Sequence, residues 1–186
     1  MLFRSIGVYN IVEAGDKPPR SGKAAWVGNV RSALPDKREV TTRPLLLEYT
    51  ANYSKYFEFR HAGVETFART YRMWDLVRDH AFVLDIGGNG YSGRLKYLLY
   101  SMRPVLLVER LYVEYWHHLL KPYVHYIPVK WDLSDLVAQY EWAVKNPEKC
   151  AEIAQNAREF AFENLNMDKF VDKVGEVVTY LLEEGH

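Results

Sequence analysis

The stretch His80–Leu99, HAFVLDIGGNGYSGRLKYLL, constrains this chain more than any other. The apolar run Phe82, Val83, Leu84 and Ile86 predicts a buried strand. The run breaks into a loop with glycines at 87, 88, 90 and 93, and Ser92 opens a segment with helical spacing. A strand, a glycine loop and a helix N-terminus together bring backbone N–H groups and a helix dipole to bear on a phosphate. Gly88, Gly90 and Gly93 spell G-x-G-x-x-G, and Glu109 closes the next apolar run about 20 residues on, where a dinucleotide fingerprint places its acid. A dinucleotide, S-adenosylmethionine and a nucleotide sugar can all use this design. A plain structural turn can carry the same glycines.

Around that stretch, strands alternate with helices. Apolar patterning predicts strands at 24–27, 56–59, 81–86, 104–109 and 124–129. It predicts helices at 45–49, 65–78 and 92–102, then at 113–120, from Ser134 through Trp142, from Pro147 to about Leu165, and at 167–182. Phe67, Tyr71, Trp74 and Val77 mark the apolar face of the second of these helices, a stripe read as helix core. Such alternation implies an α/β fold with a Rossmann-like parallel sheet and helices on both faces. Residues 1–22 read as a lead-in segment and 23–186 as one Rossmann-like domain with C-terminal helices.

Bulk composition narrows the partners. The chain has 186 residues, 48% of them hydrophobic, enough for a real core. Lysines plus arginines number 24 and acids 24, so nothing pulls the chain generally toward nucleic acid or anionic membrane. Cys150 is the only cysteine, which leaves no intrachain disulfide and no cysteine zinc site. No run is long and apolar enough to span a bilayer, and the N-terminus lacks the apolar core of a secretion signal. The expectation is a cytoplasmic protein, or one of the ER lumen if the chain is a fragment.

The charges on the loop discriminate between ligands. Arg94, in the first turn of the expected helix, has nothing to hold in S-adenosylmethionine, which carries no phosphate. It suits the diphosphate of a nucleotide sugar, to which residues 90–94 would donate N–H groups. Lys96 lies two positions on, about 200° around a helix, and reads as a surface or salt-bridge residue. The fingerprint of a dinucleotide domain opens its domain, whereas here strands precede it.

Two blocks then carry a resemblance. GGNGYSGRLKYLL and, downstream, LLKPYVHYIPVKWDLSDL (119–136) resemble the C-terminal region of the family 90 glycosyltransferases. That family includes CAP10-like capsule-associated proteins, protein O-glucosyltransferases and lipopolysaccharide-modifying enzymes. WVGN (26–29) with Arg38 resembles a further segment of it, and the likeness runs from about residue 23 to 165. The resemblance implies the C-terminal, donor-binding half of a GT-B enzyme. It implies transfer of a sugar, glucose or xylose, from a UDP-sugar to a hydroxyl of a glycan, lipopolysaccharide or protein, with no cofactor and no obligatory metal. It places Asn89, Gly90, Tyr91, Ser92, Gly93 and Arg94 on the donor diphosphate and sugar. Asn29 and Arg38 would approach the donor from the first strand, and Gly28 would let the backbone come close. Residues 32–37 lengthen that loop, so Arg31 or Arg43 is an alternative to Arg38. Family members also carry an acceptor-side domain ahead of this region, with the general base in it. Glu13 and Asp16, the acids ahead of WVGN, stand in an unmatched context, so no base is named. A separate acceptor-binding domain, or a non-catalytic or truncated donor-binding module, follows as the alternative; a methyltransferase is the rival enzyme.

Glu109, at the carboxyl end of a strand, and Glu114, just beyond it, are candidates to accept ribose hydroxyls. His117 and His118 point about 100° apart on a helix and lack the spacing of a metal pair. His125 reads as a strand residue with a satisfied hydrogen bond.

Overall fold

A computed structural model describes residues 6–30, 42–62, 71–88 and 91–184. Five parallel strands form one sheet in the order β2-β1-β3-β4-β5: β1 is Ser21–Gly28, β2 Phe57–His61, β3 His80–Asp85, β4 Val105–Val108 and β5 Ile127–Val129. β1 pairs with β2 from Ala24↔Phe57 to Gly28↔His61 and with β3 through Ala24↔Phe82 and Ala25↔Val83. β3 meets β4 at Leu84↔Leu106, and β4 meets β5 at Leu106↔Ile127. Period-two alternation divides the side chains between two cores.

Ala24, Trp26, Phe57, Phe59, Phe82, Leu84, Leu106 and Ile127 face one layer. Helices α2 (Leu45–Asn52) and α5 (Leu136–Lys145), with the start of α6 (Pro147–Asn164), cover it. Ala25, Val83, Val105 and Leu107 face the other, under α1 (Ile6–Gly15), α3 (Met73–Asp79), α4 (Leu95–Leu98) and the later turns of α6. The stretch read as a lead-in thus contributes a helix to this core, with Ile11 fully buried. Buried Arg103 ties that helix down. Its guanidinium donates to the carbonyls of Gly15 (3.0 Å), Lys17 (2.6 Å), Val77 (3.0 Å) and His80 (3.0 Å), joining the ends of α1 and α3. The last helix, α7 (Met167–Glu183), buries none of its residues, and its apolar side chains from Phe170 to Leu182 lie exposed. Among the described residues no helix is long and apolar enough to cross a membrane.

Three expected elements take a different form. The helix expected at 92–102 shortens to Leu95–Leu98, because Ser101 Oγ donates to Leu98 O and Met102 turns left-handed (φ 51°) to reach β4. The helix expected at 113–120 reduces to a 3-10 turn, His117–Leu119, flanked by buried Trp116 and Leu120 while Val113, Tyr115 and Leu119 stay exposed. The strand expected at 124–129 begins at Ile127, since the chain turns through Tyr123 (φ 56°) first. Of the helix expected at 65–78, Met73–Asp79 is helical; residues 65–70 lie outside the described residues.

Candidate functional site

The strand order fixes where a ligand can sit. From β1 the chain moves outward to β2, whereas from β3 it moves the other way to β4 and β5. The carboxyl ends of β1 and β3 are therefore the topological switch point, the place at which open α/β sheets bind ligands. The glycine loop leaves β3 at this point.

Trp26 on β1 packs in the core near this end of the sheet. Its ring is buried, 1% exposed, and lies across the next same-face position of its own strand. A Cβ on Gly28 would stand 2.4 Å from the ring. The Trp26 ring therefore by itself requires a glycine at position 28. Two guanidinium groups lie over this ring, Arg43 at 5.7 Å and Arg94 at 5.8 Å from its centroid. A cation over an aromatic ring is favourably placed.

The two arginines are held differently. Arg43 donates from Nε to Gly87 O (2.6 Å), from Nη2 to Ile86 O (3.3 Å) and from Nη1 to Asn29 O (3.0 Å). It bridges the ends of β1 and β3, and a Cβ on Gly88 would come within 2.7 Å of its Nη2. Half-buried Arg94 finds no hydrogen-bond or ion-pair partner for its guanidinium among the described residues. Burial lowers the pKa of both groups, and repulsion from Arg94 lowers that of Arg43 further. Asp85 opposes the shift in each.

Asp85, fully buried at the end of β3, is already engaged. Its Oδ2 accepts from Arg110 Nη1 (2.8 Å) and its Oδ1 from the Ser92 hydroxyl (2.8 Å). Arg110 also donates to Asp85 O (3.0 Å) and Val108 O (3.2 Å). Among the described residues Asp85 is thus the carboxylate that acts on Arg43 and Arg94, and it pairs directly with Arg110. Half-buried His117 stands near this pair; burial and then Arg110 lower its pKa.

The other candidates fall around this centre. Ser92 closes the glycine loop onto Asp85, Tyr91 is exposed on the loop, and Gly93 has open space around it. Asn29 is exposed at the end of β1. Arg38, Asn89, Gly90 and the alternative Arg31 lie outside the described residues; Arg43, the other alternative, stands at the switch point. Lys96 points away, over the Tyr97 ring at 5.5 Å. Glu109 accepts from the Trp131 N–H (3.4 Å) on the exposed rim. Half-buried Glu114 accepts from Trp116 Nε1 (3.0 Å) through Oε2, while its buried Oε1 has no partner among the described residues. His125 lies in a turn, where its Nδ1 accepts from Lys121 N (3.0 Å).

Sequence reasoning passed over Asp85, Arg110 and the platform role of Trp26. One signal was available. An acid inside the apolar run FVLDI requires a buried cation, and Arg110 ends the adjacent apolar run.

The sequence matches the family model for glycosyl transferase family 90 over residues 20–181. It is 34% identical over 89 residues to protein O-glucosyltransferase 2 of Danio rerio, across 48% of this chain and 18% of that one. The fold resembles TarM (TM-score 0.58, 15% identity, 86% of this chain and 36% of that one). It also resembles Anabaena Alr3699/HepE, solved with UDP-glucose (TM-score 0.55, 15% identity, 93% and 45%). The chain spans well under two thirds of the length of these proteins. The fold is the Rossmann-like half of a GT-B glycosyltransferase, and the chain belongs to glycosyl transferase family 90.

Proposed function

We propose that the crevice between β1 and β3 binds the diphosphate of a nucleotide sugar and that the chain is the donor-binding domain of a glycosyltransferase. One observation carries this: Arg43 and Arg94 both lie over the Trp26 ring and repel each other, and Asp85, the carboxylate that acts on both, is itself paired with Arg110. Two like charges held together with no carboxylate of their own among the described residues fit a ligand that brings negative charge. A diphosphate brings it in a shape guanidinium groups bind in bidentate fashion.

The donor is a UDP-sugar in this reading, in keeping with the O-glucosyltransferase relative and the UDP-glucose complex of HepE. Glucose or xylose would pass to a hydroxyl of a glycan, lipopolysaccharide or protein. The orphaned Glu114 Oε1 would accept a ribose hydroxyl, with Glu109 as the outer candidate. As the sugar–phosphate bond breaks, charge grows on the departing diphosphate, and the fixed guanidinium groups stabilise it. They supply this without a metal ion. The four-residue helix α4 adds little dipole, so the arginines take the part expected of a helix N-terminus.

A second reading, donor binding without transfer, is favoured by Asp85. The carboxylate at the centre is locked to Arg110 and Ser92 and has no free face to serve as a general base. A base would come from an acceptor-side domain. A methyltransferase fits poorly, because the sulfonium of S-adenosylmethionine would enter an already positive crevice.

Calorimetric titration with UDP, UDP-glucose, NAD and S-adenosylmethionine, repeated with EDTA, tests the reading. UDP and UDP-glucose should bind, unaffected by the chelator. Binding of S-adenosylmethionine with no response to UDP would overturn it. Radiolabelled UDP-glucose, followed for hydrolysis or transfer, then separates an enzyme from a binding module.

A further inference from the structure

We propose that Asp85 is the positioning residue of this crevice, a single carboxylate that locks the glycine loop and the β4 loop into one rigid unit. The inference rests on the donor-site reading for its effect on ligand, but its structural half stands on the geometry alone. Asp85 Oδ1 takes the Ser92 hydroxyl at 2.8 Å, which fixes the segment leading into Arg94. Its Oδ2 and its own carbonyl take two nitrogens of Arg110 at 2.8 and 3.0 Å, and Arg110 opens the loop that carries Glu114. The Asp85 and Arg110 side chains are 1% and 3% exposed, so water does not compete for these bonds. The arm that aims the diphosphate-facing arginine and the arm that carries the ribose-facing carboxylate thus share one anchor.

The charge of Asp85 makes the inference testable by sign. Acting only as a charge, the carboxylate would repel a diphosphate, and its removal would tighten UDP binding. Acting as an anchor, it preorganises the site, and its removal would weaken binding. Asp85→Asn keeps size and shape while removing the charge that holds Arg110.

The experiment pairs UDP calorimetry with amide hydrogen exchange of the unliganded protein, on wild type, Asp85→Asn, Ser92→Ala and Arg110→Met. The expected result is at least a tenfold loss of UDP affinity in Asp85→Asn, with faster exchange at 91–95 and 109–114. Ser92→Ala should loosen 91–95 alone, and Arg110→Met 109–114 alone. UDP binding by Asp85→Asn as tight as wild type or tighter overturns the proposal. Unchanged exchange in both segments overturns it too, whatever UDP does. Absence of UDP binding by wild type would overturn the donor reading instead, leaving exchange to decide the anchor. Should Asp85→Asn fail to fold, the two single-arm variants decide: separate loosening of the two segments supports the anchor, and no loosening in either refutes it.

Discussion

Arg94→Met separates ligand binding from folding more cleanly than any other substitution in the crevice. The guanidinium makes no hydrogen bond to the described protein, so its removal strands no partner. What the fold loses is stacking on Trp26, worth about 0.5–1 kcal/mol at such a site. Against that loss, Arg43 is relieved of its nearest like charge, and a half-buried cation no longer has to be desolvated. Methionine keeps apolar contact with the ring. Folding stability should therefore change by less than about 1 kcal/mol in either direction. Ligand binding has no such compensation. A hydrogen bond to a charged group contributes about 1.5–3 kcal/mol, which is roughly a 10- to 150-fold loss of affinity for UDP. Uridine, which has no phosphate, should bind both proteins alike. Calorimetry with UDP and uridine at matched ionic strength, beside a thermal melt, measures all three quantities. UDP affinity within twofold of wild type, or an equal loss for uridine, would refute the role given to Arg94.

Other perturbations probe the supports of the crevice and of the sheet. Gly28→Ala would push a methyl against the Trp26 ring at 2.4 Å and should destabilise the fold by about 1–3 kcal/mol, with a shift in tryptophan emission. Arg103→Met strands the carbonyls that end α1 and α3 and should cost about 3 kcal/mol in urea unfolding. The Asp79 carboxyl is held down at about 2, chiefly by hydrogen bonds from Arg78 and also by one from Tyr71. Since the folded value lies below the unfolded one, its stabilisation is complete above about pH 4 and fades as pH falls toward 2. Asp79→Asn should therefore unfold more readily than wild type at pH 6, with the gap closing near pH 2. Burial raises the Cys150 thiol to about 11, so a disulfide reagent at pH 8 should label it only after unfolding.

The sheet was legible because its strands are buried on both faces. Runs such as FVLDI and VLLV have no polar side to confuse the pattern, and all five expected strands are present in parallel. The helices at the carboxyl edge were less legible. From Leu111 to Leu119 apolar residues recur at helical spacing, yet most face solvent and only Trp116 packs inward. Periodicity registers which residues are apolar; whether a surface exists to receive them is settled by the rest of the fold. The same reasoning covers the glycine loop, where a helix of three turns was expected and one short turn forms. Pro104 and the start of β4 at Val105 leave no room for more.

The site itself was half legible. A cation at the first turn after the glycine loop was readable from one motif, since Arg94 sits at a fixed distance along a single segment. Its partner was readable only as one alternative to Arg38, because Arg43 comes from a different loop and reaches the crevice only when β1 pairs with β3. Pairing across the sheet also explains Gly28. In the sequence it stands next to Asn29 and looks like an opening for a ligand, whereas in the fold the indole two residues earlier by itself requires a glycine there. The glycine, the tryptophan and the two arginines thus answer one requirement: an apolar ring over which two like charges can be held close without collapsing onto acids. Asp85 meets the complementary requirement, an anion placed where it braces the loops while already spent on Arg110. A crevice meant only to be stable would pair each guanidinium with its own carboxylate. Among the described residues this one leaves Arg43 and Arg94 without a carboxylate of their own, and the proposed diphosphate site rests on that surplus.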